Sequence, residues 1–468
     1  MKKASVLIAI GIFCSINILF GQEKFKSDTC NTISLTTEDL NKYLGVYSST
    51  QISLKIRITK VDTRLIARAT GQSSIPLVAT EKDEFKFEPV DLKMVFNIEK
   101  NEMVLTQHGI KYLFTKESNL KFITDTFNKE SNLKFKTDTF NFVFEGKKLS
   151  GFIDTPVNRD PSALIIIVPG DGPTSFGESF WAYDSLFSNF TNLGISCFSY
   201  DKEGCGKSEG EYNHDQTVQN SAKEIITAIA ELKRRNIKGS DKIGLWGISR
   251  GGYICPLVIQ EYPSIAFWIS VSGPDGLNSG DFMFESYLRS SGKSESQARL
   301  LVEEFKNGNY IFENGGTYEE FMKSEENFRK DSLCMAYTGA DVNITKEEYY
   351  KEQASIRSNL NYKRDSITKS IIIVPDFKNI LTKIQCPVLA IFVEKDSQVD
   401  WKKTMSLYQE TLGKADDNKL TIKTFPNGNH GIRKCKTGAL NEVIGKKEFC
   451  DGYIETMTSW LKENGFGK

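Results

Sequence analysis

Past Phe142 the chain repeats one pattern: a short apolar run, a polar turn, an amphipathic stretch, and another apolar run. The runs are ALIIIVP (163–169), ISCFSYD (195–201), KIGLWGI (242–248), AFWISVSG (266–273), PVLAIFVEKD (387–396) and LTIKTFP (420–426). Runs of this length without polar alternation suit strands buried on both faces. Between two of them, VQNSAKEIITAIAELKRR lines up Val218, Ala222, Ile225, Ile226, Ile229 and Leu232 as one helical stripe. Such alternation predicts an α/β domain over 142–468, with a mostly parallel, doubly wound sheet. Its sites are expected at the carboxyl ends of the strands. Residues 274–385 interrupt the pattern with charged, aromatic, mostly helical sequence, a candidate lid.

Ahead of this domain the pattern is different. From Leu44 to Phe114, ISLKIRI, RLIARATG, EFKFEP, LKMVFNI, MVLTQHG and IKYLF follow closely with turns between them. This is strand periodicity, and it predicts a small antiparallel all-β domain over 22–115, a barrel or a sandwich. A tandem repeat follows over 116–141: KESNLKFITDTFN and then KESNLKFKTDTFN, differing only at Ile123 and Lys136. A thirteen-residue shift moves side chains to the opposite face of a strand, so both copies cannot extend one strand with the same residues buried. One copy is expected to loop out as linker.

The first residues, MKKASVLIAIGIFCSINILFGQ, place two lysines before an apolar stretch of about seventeen residues, then a small residue at Gly21. Residues 1–21 are expected to be a secretory signal, giving an exported protein. The stretch is short for a bilayer span, so no stable membrane insertion is expected after its removal. Sixty basic and sixty acidic side chains cancel without a long run of one sign. Nothing in that balance predicts a nucleic-acid partner, and a small-molecule substrate fits better. Cys435 and Cys450 bracket a short loop, and an oxidising compartment would allow them to pair. Cys197, Cys255 and Cys386 read as small buried hydrophobes. There is no C-x-x-C pair or His/Cys cluster to suggest a zinc site, and no metal or organic cofactor is expected.

Gly-x-Ser-x-Gly occurs twice, as GKSEG (206–210) and GISRG (247–251); with 35 glycines in 468 residues, chance supplies the pattern roughly 0.2 times. Context separates the two. GISRG follows the apolar run KIGLW and opens GYICPLVIQEY, the strand-to-helix setting that lifts a serine to the top of a sheet. GKSEG has turn residues on both sides and is assigned to a structural loop. A serine hydroxyl needs a base and an orienting acid to act as a nucleophile. Of the chain's three histidines, His108 lies in the β-domain and His214 just after GKSEG. That leaves His430, in FPNGNHG after the last strand, as the base for Ser249. Asp396, at the end of PVLAIFVEKD, is the preferred acid, with Asp275, Glu394 and Asp400 as rivals. The N–H groups of Arg250 and of Asp171, in the turn VPGDGP, are the candidate oxyanion donors.

PGDGP, YDKEGCGKSEGEY, KIGLWGISRGGYICPL, VSGP, PVLAIFVEKDSQV and PNGNH together resemble the α/β-hydrolase fold over most of 142–468. The resemblance is to bacterial secreted esterases and to prolyl-oligopeptidase-like or proline-iminopeptidase-like serine hydrolases. It implies that Ser208 is a turn residue and that Pro256 sits in the helix after the nucleophile. One departure stands out: Pro169-Gly170 replaces the usual His-Gly. Asp171 stands where a small or neutral residue is common, so its carboxylate must turn to solvent or pair with Arg250. Upstream, YLGVYSS, RLIARATGQSSIPLVATEKDEFKF and MVLTQHG resemble the small β-domain attached to β-lactamase-like hydrolases.

The expected activity is a serine hydrolase cleaving a carboxylic ester of a small molecule through an acyl-enzyme. The alternatives are an aminopeptidase-like amide hydrolase, for which Glu303, Glu304, Glu319, Glu320, Glu325 and Glu326 could supply amine-binding carboxylates, and a silent binding protein on a hydrolase scaffold. Deleting residues 116–128, one repeat length, should leave both the thermal midpoint and ester turnover unchanged; a collapse in soluble yield would show that both copies are structural.

Overall fold

The structure is a computed structural model. It describes residues 36–117 and 135–467, apart from 50–54, 62–63, 70–73, 88–91, 108–109, 158, 177–183, 214, 340–343, 414–418, 440–441 and 443–447. The proposed signal segment, His108, His214 and most of the first repeat copy therefore lie outside the described residues. The chain forms two compact units, 1–132 with 441–447 and 133–440 with 448–468.

The first unit is a closed antiparallel barrel of β1 (Gly45–Ser48), β2 (Lys55–Val61), β3 (Arg64–Ala69), β4 (Ser74–Glu81), β5 (Glu84–Phe87), β6 (Leu92–Asn97), β7 (Glu102–Gln107) and β8 (Ile110–Lys116). Each strand pairs with the next, and β1 closes on β8 through Tyr47 opposite Lys116. Alternation explains the closure: Leu92, Met94 and Phe96 of β6 point inward while Val95 and Asn97 are exposed. Tyr43, Tyr47, Phe85 and Phe96 fill the interior with edge-on ring contacts.

The second unit is built on an eight-stranded sheet. Its strands are β9 (Phe135–Phe144), β10 (Lys147–Pro156), β11 (Ala163–Val168), β12 (Ile195–Tyr200), β13 (Ile243–Ile248) and β14 (Phe267–Val271), followed after an insertion by β17 (Val388–Val393) and β18 (Leu420–Phe425). The order is β18-β17-β14-β13-β11-β12-β10-β9. All neighbours from β12 to β18 pair in parallel, while β10 pairs antiparallel with both β12 and β9. This is the α/β-hydrolase fold, preceded by an all-β barrel. β9 begins inside the second repeat copy, so the sheet reaches further upstream than the change of pattern at Phe142. Phe140, Phe142 and Phe144 give β9 one buried face, and the first two pack against Phe198.

The central strands are apolar on both sides because both sides are covered. Leu164, Ile166 and Val168 of β11 pack with the helices Val218–Arg234 and Gly251–Glu261. Ala163, Ile165 and Ile167 join the opposite layer, with Phe187, Phe190, Met457 and Trp460. Cys197, Cys255, Cys386 and Cys450 are buried thiols outside any disulfide.

The insertion between β14 and β17 carries the helices Gly280–Ser290, Glu295–Glu313, Tyr318–Ser324, Ser332–Thr338, Lys346–Asn359 and Phe377–Thr382. It also holds the hairpin β15 (Lys363–Arg364) and β16 (Ile371–Ile372). Ser294, Thr317 and Thr345 close capping boxes with Gln297, Glu320 and Glu348, which accounts for three of the helix starts. Among the described residues no helix is long and apolar enough to cross a membrane.

Phe198→Ala removes a fully buried ring that joins β12 to the β9 phenylalanines. It should lower the unfolding free energy by about 3–5 kcal/mol, read as a shift in the urea midpoint of this unit.

Candidate active site

Ser249 is the first residue beyond β13, with φ at 53°, in the left-handed region that a serine rarely occupies. The turn is tight on every side. A Cβ at Gly247 would lie 2.6 Å from the Cys255 sulfur, and one at Gly251 would lie 2.9 Å from the Val168 carbonyl oxygen. Only glycine lets the strand pass so close to the helix that follows. The Ser249 N–H donates to Val271 O of the neighbouring strand (2.9 Å), and Gly252 N–H donates to Ser249 O (2.7 Å). The serine therefore stands at a strand-to-helix elbow fixed by backbone bonds.

Asp396 follows β17 and His430 follows β18, so both leave the sheet at the edge where β13 ends. They meet directly: His430 Nδ1 lies 2.8 Å from Asp396 Oδ2 and 3.0 Å from Oδ1. The Asp396 side chain is wholly buried and the imidazole is 11% exposed. An ionised carboxylate can only accept, so Nδ1 carries the proton and Nε2 is left with its lone pair. Nε2 is buried and has no hydrogen-bond partner within the protein. Asp396 Oδ1 also accepts from the N–H groups of Gln398 (2.8 Å) and Val399 (3.0 Å). These bonds fix the orientation of the carboxylate toward the imidazole. The histidine's own carbonyl accepts from Ser272 Oγ (2.9 Å), just past β14, and Asn429 folds the preceding loop by accepting from Gly431 and Arg433 N–H.

Two of the three rival acids are engaged elsewhere, and the third, Glu394, is exposed. Asp275 pairs with Lys403 at 2.6 Å and accepts from Leu277 N–H. Asp400 caps the helix Trp401–Thr411.

The turn after β11 lies against the elbow, since a Cβ at Gly170 would come 3.4 Å from Ser249 Cβ. Asp171, next in the turn, is 55% exposed, and its carboxylate is 3.9 Å from Arg250 Nε. The carboxylate both turns to solvent and faces a cation, the condition the sequence set for a working turn. The Arg250 guanidinium is held on its far side by Ser221 Oγ (3.0 Å) and by the Gln216 carbonyl.

Ser208 of the second Gly-x-Ser-x-Gly is consumed by the fold. Its Oγ donates to Asp201 O (2.6 Å) and accepts from Ser150 N–H (2.9 Å), stitching the turn to β10. Lys202 is a residue the sequence reading passed over. Its ammonium donates to Gly170 O and Gly172 O, each at 2.7 Å. The motif DKEGCGKS was legible, but nothing in its spacing said where the lysine would reach. No group of three or more His, Cys, Asp or Glu suited to a metal ion occurs among the described residues.

The chain has partial likenesses to known proteins. Residues 159–283 match the family model described as serine aminopeptidase, S33. A polyketide transferase, grgF, of a Penicillium species is 32% identical over 65 residues, 14% of this chain. The chain spans only 22% of that curated relative's length. Among solved structures, the Pyrococcus furiosus esterase Pf2001 is 14% identical, covering 71% of this chain and 90% of its own, with a TM-score of 0.39. Est1E from Butyrivibrio proteoclasticus, solved with ferulic acid, is 17% identical over 69% and 96%, TM-score 0.38. Proline iminopeptidase of Mycobacterium smegmatis is 14% identical over 70% and 98%, TM-score 0.38. The second unit thus has the α/β-hydrolase fold, and a family match falls within it over residues 159–283.

Asp396→Asn should lower kcat by roughly 10⁴, because an amide can donate to Nδ1 and favour the wrong tautomer. Asp275→Asn should leave kcat near wild type, and the reverse order in steady-state kinetics would reassign the acid.

Proposed function

We propose that the protein hydrolyses a carboxylic ester of a small molecule through an acyl-enzyme. Ser249 attacks the ester carbonyl, and His430 Nε2 takes the hydroxyl proton and passes it to the leaving alcohol. Asp396 holds the imidazole in the required tautomer and stabilises the imidazolium. The Arg250 and Asp171 N–H groups receive the oxyanion. Water then repeats the sequence on the acyl-enzyme, with His430 as base again. The observation that carries the reading is the buried Asp396–His430 pair, whose unsatisfied Nε2 sits in a unit with a serine elbow at the same sheet edge.

The serine aminopeptidase match favours a second reading, cleavage of an amide beside a free amine. That chemistry wants a carboxylate free to hold an ammonium. The six glutamates singled out in the insertion have other work. Glu303 pairs with Lys306, Glu319 with Lys346, Glu325 with Arg329 and Glu326 with Lys330. Glu304 accepts from Asn327 and Phe328 N–H, and Glu320 closes the Thr317 cap. Their engagement supports the ester reading.

Ser249→Ala and His430→Ala should each lower turnover by on the order of 10⁶. A fluorophosphonate should label the wild type at one site and leave Ser249→Ala unlabelled. Short acyl esters should be cleaved faster than aminoacyl amides; faster amide cleavage would establish the peptidase reading, and a folded wild type that takes no label would be a binding protein.

A further inference from the structure

The dipeptide Asp201-Lys202, just past β12, holds the turn after β11 at several points. Asp201 Oδ1 accepts from Phe176 N–H (2.7 Å), and Lys202 N–H donates to Thr174 O (3.0 Å). The Lys202 ammonium then reaches under the turn to Gly170 O and Gly172 O. Two carbonyl oxygens converging on one point repel each other unless a donor sits between them, and here a cation does. The geometry has a directional consequence. The Gly170 carbonyl and the Asp171 N–H belong to one planar trans peptide and point in opposite directions. Drawing the oxygen toward Lys202 therefore turns the Asp171 N–H away from it, on a turn that lies against Ser249.

We propose that Lys202 is a positioning residue for catalysis, its ammonium fixing the Gly170–Asp171 peptide so that the Asp171 N–H is preset to receive the oxyanion. This rests on the reading of Ser249 as nucleophile. Lys202 touches neither substrate nor reacting atoms in this role and acts only through the peptide it holds. With the peptide fixed beforehand, no reorganisation is needed as charge develops in the transition state.

The same placement makes the device sensitive to pH. Burial, with the Arg250 guanidinium nearby, brings the Lys202 ammonium down to about 8. Asp171 on the turn, Cys205 in the following loop and Glu224 on the helix Val218–Arg234 act in the opposite direction. The charged form is thus present below about 8 and lost above it. The neutral amine still donates, but through weaker bonds without charge assistance.

The test is kcat and KM for a short acyl ester from roughly pH 6 to 10, in the wild type, Lys202→Arg and Lys202→Met. The wild type should show an alkaline limb in kcat with its midpoint near 8. Lys202→Arg, charged throughout the range, should lose that limb. Lys202→Met should lower kcat roughly 10- to 100-fold with KM within about 3-fold, show no limb, and still take one equivalent of fluorophosphonate. A limb retained in both variants, or a rise in KM with kcat unchanged, would overturn the proposal. If Lys202→Met does not fold, the limb in wild type against Lys202→Arg decides. An active Ser249→Ala would remove the nucleophile reading itself, and the proposal with it.

Discussion

Parallel pairing from β11 out to β18 sends the carboxyl ends of β11, β13, β14, β17 and β18 to a single edge of the sheet. Each of the residues that matter follows one of those ends: Gly170 and Asp171 after β11, Ser249 after β13, Ser272 after β14, Asp396 after β17 and His430 after β18. No single loop could bring them together. The sheet register sends them to one edge, and backbone bonds between neighbouring ends, such as Ser249 N–H to Val271 O, tie those ends to each other.

Within that frame the chain spends its two Gly-x-Ser-x-Gly sequences on different tasks. In GISRG the glycines yield room and the serine takes the left-handed conformation of the elbow. In GKSEG the hydroxyl is itself a structural bond, joining Asp201 O to Ser150 N–H. The second turn is not idle with respect to the first. By anchoring residues 201 and 202 it fixes the peptide beside Ser249, so one motif braces the surroundings of the other.

Strand and helix alternation was legible because it is local: the buried runs of β11 to β14, β17 and β18 declare themselves by composition and length. Ser249, Asp396 and His430 were candidates from motif context and chain order, with Asp275, Glu394 and Asp400 as rival acids, and the contact between Asp396 and His430 is seen only in the fold. What could not be read was contact across the fold. The barrel's closure depends on β1 meeting β8, a pairing set by shear and not by either strand. The use of each insertion glutamate depends on which helix packs beside it, and identical Glu-rich stretches would read the same whether solvated or paired. Lys202 was hidden for a related reason, since a flexible four-carbon stem reaches a carbonyl that no spacing rule identifies.

The tandem repeat leaves the chain with two near-identical candidates for the same place in the sheet. The second copy runs on into FVF, which buries Phe142 and Phe144 in β9. Were the first copy to pair with β10 instead, Lys129 would fall where Phe142 lies and Ser131 where Phe144 lies. An ammonium forced into that aromatic layer is strongly disfavoured. Ile123 would meanwhile replace the exposed Lys136 on the outer face. The duplication thus creates a decoy for the folding chain, and the residues just beyond each copy, not the copies themselves, decide which one the edge of the sheet accepts.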